Sequence, residues 1–232
     1  MTALIVADTP GALAEMLAQH LLCRLQAAAF RGQILRVALS GGHTPEAFYR
    51  ALGARNADCP WPSVEIFFSD ERAVPPDHAD SNYRMAYEAW LKQAPRGAVI
   101  HRIRGEEGAA QAARHYQAVI GAAGPLDLIL LGLGPDGHTA SLFPTDPAWQ
   151  SPDPVLAIPA HGNRTGRVSL GLSTLAAGRE RWLIAQGAAK IAALRTALSA
   201  EGRTPAAELV RRAPVTLWAD RTLAQGLCPG RS

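Results

Sequence analysis

DLILLGLGPDGHTASLFP, residues 127–144, decides how the rest of the chain is read. Leu128, Ile129, Leu130 and Leu131 are apolar without alternation, the pattern of a strand buried on both faces of a parallel sheet. Such a strand lies in the middle of its sheet. Gly132, Gly134 and Gly137 follow, so the backbone can turn tightly and carry free N–H groups, with His138 at the strand's carboxyl end. Open α/β sheets bind ligands at that end. Glycines around one histidine also describe an ordinary loop, so the reading needs support from elsewhere in the chain.

The 232 residues suit one α/β domain over 1–232 better than two independent ones. Hydrophobic residues at 48% and charged ones at 19% describe an ordinary globule, and a net charge of +3 is too small and dispersed to indicate nucleic acid. Cys23, Cys59 and Cys228 are odd in number, with no C-x-x-C and no zinc-like spacing, which points to a reduced cytoplasmic protein. The N-terminal MTALIVADTPG lacks the basic segment and long apolar run of a signal peptide. No apolar stretch approaches the roughly 20 residues of a membrane span. Lys92 and Lys190 are the only lysines, so each is worth following.

Along the chain, a strand over 3–7 precedes a helix opened by Pro10, on which Leu13, Leu17, Leu21, Leu22 and Leu25 recur at helical spacing and His20 reads as a surface residue. After a strand over 34–39 comes SGGHTPE, residues 40–46. Thr44 is expected to cap a helix over 45–52 with Pro45 in its first turn, while Ser40, Gly41 and Gly42 form either a phosphate cradle or a plain turn. A third strand, 64–68, ends in Ser69-Asp70-Glu71-Arg72, which reads as a solvated turn or as part of a site at that strand's end. Asp77, His78 and Asp80 have the donor types of a metal site but no fixed scaffold, and Ser81 or Asn82 reads as the next helix cap. Further strands are expected at 99–103, 155–158, 168–172, 181–186 and 215–219, with helices at 107–120, from about 190 to 198, and at 206–211. Lys190 falls in a first helical turn, where an exposed cation is unfavourable by about 0.3–1 kcal/mol unless an anion binds there. Four pieces thus end at one edge of one expected sheet: residues 40–42, 70–72, 132–138 and 187–190. An anion cradle facing a histidine suits proton transfer on a phosphorylated small molecule.

ALSGGHTPEAFY, FFSDERAVPPDHADSNYRM, DLILLGLGPDGHTASLFP and RVSLGLSTLAAGRERWLIAQGAAK together resemble the 6-phosphogluconolactonases across nearly the whole chain. The resemblance implies a single Rossmann-like α/β domain with a mostly parallel sheet flanked by helices, similar to glucosamine-6-phosphate deaminase and ribose-5-phosphate isomerase. It also implies hydrolysis of 6-phospho-D-glucono-1,5-lactone in the oxidative pentose phosphate pathway. The chain is expected to act as a monomer or weak dimer, and without metal or cofactor, because a histidine and backbone dipoles can supply the base and the oxyanion contacts. Carried over by motif, Ser40, Gly41, Gly42, Thr44, Arg167 and Lys190 would surround the phosphate. His138 would face the lactone carbonyl, Asp70 and Arg72 would line the sugar side, and Gly134, Asp136 and Gly137 would lie on the substrate side; with a reference pKa near 6.5, a histidine is the side chain best matched to act as general base. Where the family often has a proline-rich approach to its arginine strand this chain reads HGNRTG, which leaves Arg164 and Arg167 competing for the phosphate; Ala189 stands where an acidic residue is common. Asp70 would orient either His138 or a sugar hydroxyl. The nearest rival is a glucosamine-6-phosphate deaminase, whose loop normally runs on to a glutamate in a pattern like AFNEP where this chain has SLFP. A non-catalytic sugar-phosphate sensor is the rival of another class; it would lack the histidine or carry an added domain.

Overall fold

Leu128, Ile129, Leu130 and Leu131 have no exposed surface, because their strand is the fourth of seven in a parallel sheet. The computed structural model describes residues 3–227, so Cys228 lies outside the described residues. In chain order the strands are β1 (Ala3–Ala7), β2 (Leu35–Leu39), β3 (Val64–Phe68), β4 (Asp70–Arg72), β5 (Val99–Ile100), β6 (Leu128–Gly132), β7 (Val155–Ile158), β8 (Arg167–Leu170), β9 (Glu180–Ala185) and β10 (Thr216–Asp220). The helices are α1 (Pro10–Phe30), α2 (His43–Gly53), α3 (Asn82–Ala89), α4 (Ala109–Ala123), α5 (Leu172–Ala177), α6 (Ile191–Leu198), α7 (Pro205–Arg212) and α8 (Arg221–Leu227).

The large sheet runs β1-β10-β9-β6-β2-β3-β5. Its order reverses direction between β2 and β6, the kind of switch point at which α/β sheets open a crevice. Because β9, β6, β2 and β3 are consecutive neighbours, the segments that leave their carboxyl ends emerge side by side. On α1, Thr9 caps the first turn by accepting the Ala12 N–H at 3.1 Å, and Leu13, Leu17, Leu21 and Leu25 are buried toward the core.

Two expectations change here. Residues 70–72 are a strand rather than a solvated turn, and with β7 and β8 they form a separate antiparallel sheet, β4-β8-β7, instead of extending the parallel one. Ser69 joins the two sheets: its N–H donates to Leu39 O at 2.7 Å, and its carbonyl accepts the Leu170 N–H at 2.8 Å. Thr44 is not a cap either. The helix starts one residue before it, at His43, and the cap position falls to Gly42, which has no side chain to offer.

Two tyrosines secure the strand ends that lead into the crevice. Tyr49 Oη, from α2, accepts the Ser40 N–H and donates to Ser40 O, both at 2.9 Å. Tyr116, from α4, does the same for Phe68 at 2.8 and 3.0 Å. Burial pushes both phenols above their ordinary values, so they stay protonated and able to donate. Tyr49→Phe leaves a buried N–H and carbonyl unpaired and is expected to cost about 1–3 kcal/mol. A lower urea midpoint checks it, with Tyr87→Phe, at a side chain 40% exposed, as the unchanged control.

Candidate active site

A cavity of about 290 Å³ opens where β9, β6, β2 and β3 end. Ser40, Gly41, Gly42 and Thr44 enter it from the β2–α2 junction, Asp70 and Arg72 from β4, Gly134 and His138 from the turn after β6, Arg167 from β8, and Lys190 from the start of α6. Asp136, Gly137 and Arg164 do not line it. A larger cavity, about 480 Å³, lies beside β5 and α4, but its charges are matched within it: Arg102 pairs with Glu106 at 2.6 Å and His115 with Glu107 at 3.4 Å.

His138 is held by Asp136. The same carboxylate oxygen, Oδ1, lies 2.6 Å from His138 Nδ1 and accepts the His138 backbone N–H at 3.1 Å. A two-residue spacing permits this only if the turn curls tightly. Gly134 supplies the room, since a Cβ there would stand 2.0 Å from His138 Nδ1 and 2.6 Å from Asp136 Oδ1. Phe143 packs against the imidazole, its ring tilted by 42° with the centroids 4.7 Å apart. Asp70, expected to orient His138 or a sugar hydroxyl, lines the cavity without meeting His138: Oδ2 accepts the Ser141 hydroxyl at 2.6 Å and Oδ1 the Asn82 amide at 3.2 Å. The orienting carboxylate is therefore Asp136, which the sequence had placed on the substrate side.

The cations are unusually arranged. Arg72 and Arg167 face each other directly across the β4–β8 pairing, and both carry a buried Nε–H with no acceptor. Like charges at such positions repel, so the arrangement favours an anion between or beside them. Burial, then the charges of Arg72 and Arg164, push the Arg167 guanidinium below its ordinary value. The Ser40 hydroxyl is also buried without a partner, and the N–H groups of Gly41, Gly42, His43 and Thr44 find no acceptor among the described residues. Burial pushes Lys190 down, partly offset by Asp136. Arg164 instead lies 4.0 Å above the Phe143 ring and 3.7 Å from Asp146.

The glycine turn supplies fewer free donors than its composition suggests. Gly134 N–H donates to His138 O at 2.8 Å and Gly137 N–H to Gly134 O at 3.1 Å. Asn82 is a cavity residue that the sequence reading treated only as a potential cap; Ser81 is the cap, and accepts the Arg84 N–H at 3.1 Å. Its position directly after that cap was the available signal. In the 77–80 loop, His78 Nδ1 is 3.1 Å from the Asp80 N–H, and no group of three or more metal-donor side chains is assembled among the described residues.

Residues 8–218 match the family described as glucosamine-6-phosphate isomerases/6-phosphogluconolactonase. The chain belongs to this family. Among its relatives, the 6-phosphogluconolactonase of Rhizobium meliloti is 35% identical over 220 residues, covering 89% of this chain and 92% of its own. The 6-phosphogluconolactonase structure from Trypanosoma brucei superposes with a TM-score of 0.84 at 27% identity, covering 98% of this chain and 99% of that one. A monomeric glucosamine-6-phosphate deaminase, at 19% identity and a TM-score of 0.82 over 98% of this chain and 100% of its own, shares the fold. Both branches of the family thus have one architecture, and the side chains must separate them.

The His138–Asp136 pair can be tested directly. Partial burial pushes the Asp136 carboxyl up, but the His138 backbone N–H, the imidazolium charge and the ring N–H outweigh it and hold the carboxyl below its ordinary value. A carboxylate lowered on folding adds stability above its unfolded value, and that stability fades as pH falls through the folded one. In His138→Ala the Asp136 carboxyl is expected to titrate higher than in the wild type, read from its carbon-13 shift, and this acid-side contribution should shrink to the part held by the residue-138 backbone N–H, which alanine keeps. An unchanged titration would mean that the 2.6 Å contact has no electrostatic role.

Proposed function

We propose that the cavity carries out the reaction of the lactonase branch: hydrolysis of 6-phospho-D-glucono-1,5-lactone to 6-phospho-D-gluconate, the ester hydrolysis of the oxidative pentose phosphate pathway. The observation that carries this is the combination, in one pocket, of an oriented histidine with two arginines that face each other across paired strands. The enzyme is a carboxylic ester hydrolase, and its substrate is a sugar phosphate. In this reading residues 1–232 work as one domain, as a cytoplasmic monomer or weak dimer needing no cofactor or metal. No helix among the described residues is long and apolar enough to cross a membrane.

Asp136 accepts the Nδ1–H of neutral His138, which leaves Nε2 as the basic nitrogen. His138 Nε2 removes a proton from water as the water oxygen bonds to C1 of the lactone. The carbonyl oxygen becomes negative. With the Gly134 and Gly137 N–H groups already bonded, Arg72 is the oxyanion donor. As the tetrahedral centre collapses, the bond from C1 to the ring oxygen breaks and the imidazolium returns its proton to that oxygen. The open-chain acid then ionises. Ser40, the N–H groups of Gly41, Gly42 and Thr44, Arg167 and Lys190 hold the phosphate; Arg167 is preferred to Arg164 because it lines the cavity. Phe143, packed on His138, belongs to the SLFP segment that stands where the deaminases' glutamate would be expected.

Purified protein is expected to hydrolyse the phosphorylated lactone and to release no ammonia from glucosamine 6-phosphate; ammonia without lactone hydrolysis would move the assignment to the deaminase branch. Lys190→Ala should lower kcat/KM for the phosphorylated lactone by about one to two orders of magnitude, the worth of one charge-assisted contact, and leave gluconolactone nearly unchanged. His138→Ala should lose about 10²–10⁴-fold on both lactones, since each needs a proton taken from water. Steady-state rates corrected for spontaneous opening separate the two, and equal damage from Lys190→Ala on both lactones would remove the lysine from the phosphate.

A further inference from the structure

Glu71 has 3% of its surface exposed and does not line the cavity, yet the residues on either side of it, Asp70 and Arg72, do. Alternation along β4 puts those two on one face and Glu71 on the other. Its carboxylate meets no lysine or arginine in an ion pair among the described residues. Instead it takes four donors: Oε1 accepts the N–H of Arg72 at 2.8 Å and of Asn82 at 2.7 Å, and Oε2 accepts the Ser81 hydroxyl at 2.9 Å and the Tyr83 N–H at 2.8 Å. Burial pushes this carboxyl above its ordinary value, and the four donors draw it only part of the way back.

Three of those donors belong to the start of α3, so one buried side chain ties the helix to β4. The tie reaches the cavity along two routes. Arg72 is gripped through its own N–H. Asn82, gripped in the same way, sends its Nδ2 to the Asp70 carbonyl at 3.0 Å and presses its side chain against Gly41, where a Cβ would stand 1.9 Å from Asn82 Oδ1.

We infer that Glu71 is a positioning residue for the reaction proposed above: without touching substrate, it sets Arg72 and Asn82 against the Ser40-Gly41-Gly42 segment through the backbone at the start of α3. This rests on the lactonase reading for its kinetic consequence and on the hydrogen-bond network for its structural one. Two oxygens are required, because a glutamine of the same shape turns an NH₂ group toward two of the four donors.

The test is a mutant cycle. Glu71→Gln is expected to lower kcat/KM for the phosphorylated lactone about tenfold in the wild-type background, and less than about threefold where Arg72→Ala and Asn82→Ala have already removed the groups it positions. Amide hydrogen exchange at Asn82 and Tyr83 should quicken, and the Arg72 Nε–H signal should move in the nitrogen-15 spectrum. An unchanged kcat/KM, or the same tenfold loss in the background lacking Arg72 and Asn82, overturns the inference. If Glu71→Gln does not fold, Ser81→Ala removes one donor and leaves the carboxylate: a loss coupled to Arg72→Ala supports the inference, and an additive loss or none overturns it. If the wild type hydrolyses no lactone, the functional reading fails by itself. Glu71 is then decided by the spectra, where an Arg72 Nε–H signal unmoved by Glu71→Gln overturns its role.

Discussion

A strand that buries both faces and pairs along both edges can present polar chemistry only at its ends, and β6 is such a strand. Its four leucine and isoleucine side chains fill the space between the helical layers. Its edges bond to β9 and β2. The chain is free of the sheet only after Gly132, and there it makes the turn that carries His138. Because β9, β2 and β3 end beside it, the junctions after them open on the same crevice, and the crevice inherits its chemistry from strand order.

The small antiparallel sheet adds what the parallel one does not. Its register sets Arg72 opposite Arg167, a placement that is unfavourable by itself and is tolerated because other interactions hold the backbone. Ser69 hydrogen-bonds both sheets, and Glu71 fastens β4 to α3. Two guanidinium groups are then held at the cavity, Arg72 through Nη1 to the Asp80 carbonyl and Arg167 through Nη1 to the Ser141 hydroxyl, while each keeps a buried Nε–H without an acceptor. The Tyr49 and Tyr116 clamps satisfy the backbone N–H and carbonyl of Ser40 and of Phe68 where their strands end.

The continuous apolar run at 128–131, the leucine spacing on α1 and the glycine-bearing junctions at 40–42 and 132–138 were legible in the chain, because each reflects a local rule about burial or backbone freedom. Those rules were enough to place β6 centrally and to bring Ser40, Asp70, His138 and Lys190 to one pocket. Periodicity reports whether a side chain is buried. It does not report which neighbour the side chain meets.

Partner choice was therefore left to tertiary structure. Asp136 rather than Asp70 meets His138 because the turn curls over Gly134, and Asp70 is drawn to Ser141 and Asn82 by contacts 71 and 12 residues away in sequence. Arg167 rather than Arg164 faces the cavity because antiparallel register, which no single strand encodes, sets it against Arg72. The chain by itself determined the strands of the parallel sheet, the glycine turns and the ionisable groups available, but not the short strand at 70–72. Only the folded structure decided which of those groups pair and which are left free to bind, because hydrogen bonds and burial are settled between segments rather than within them.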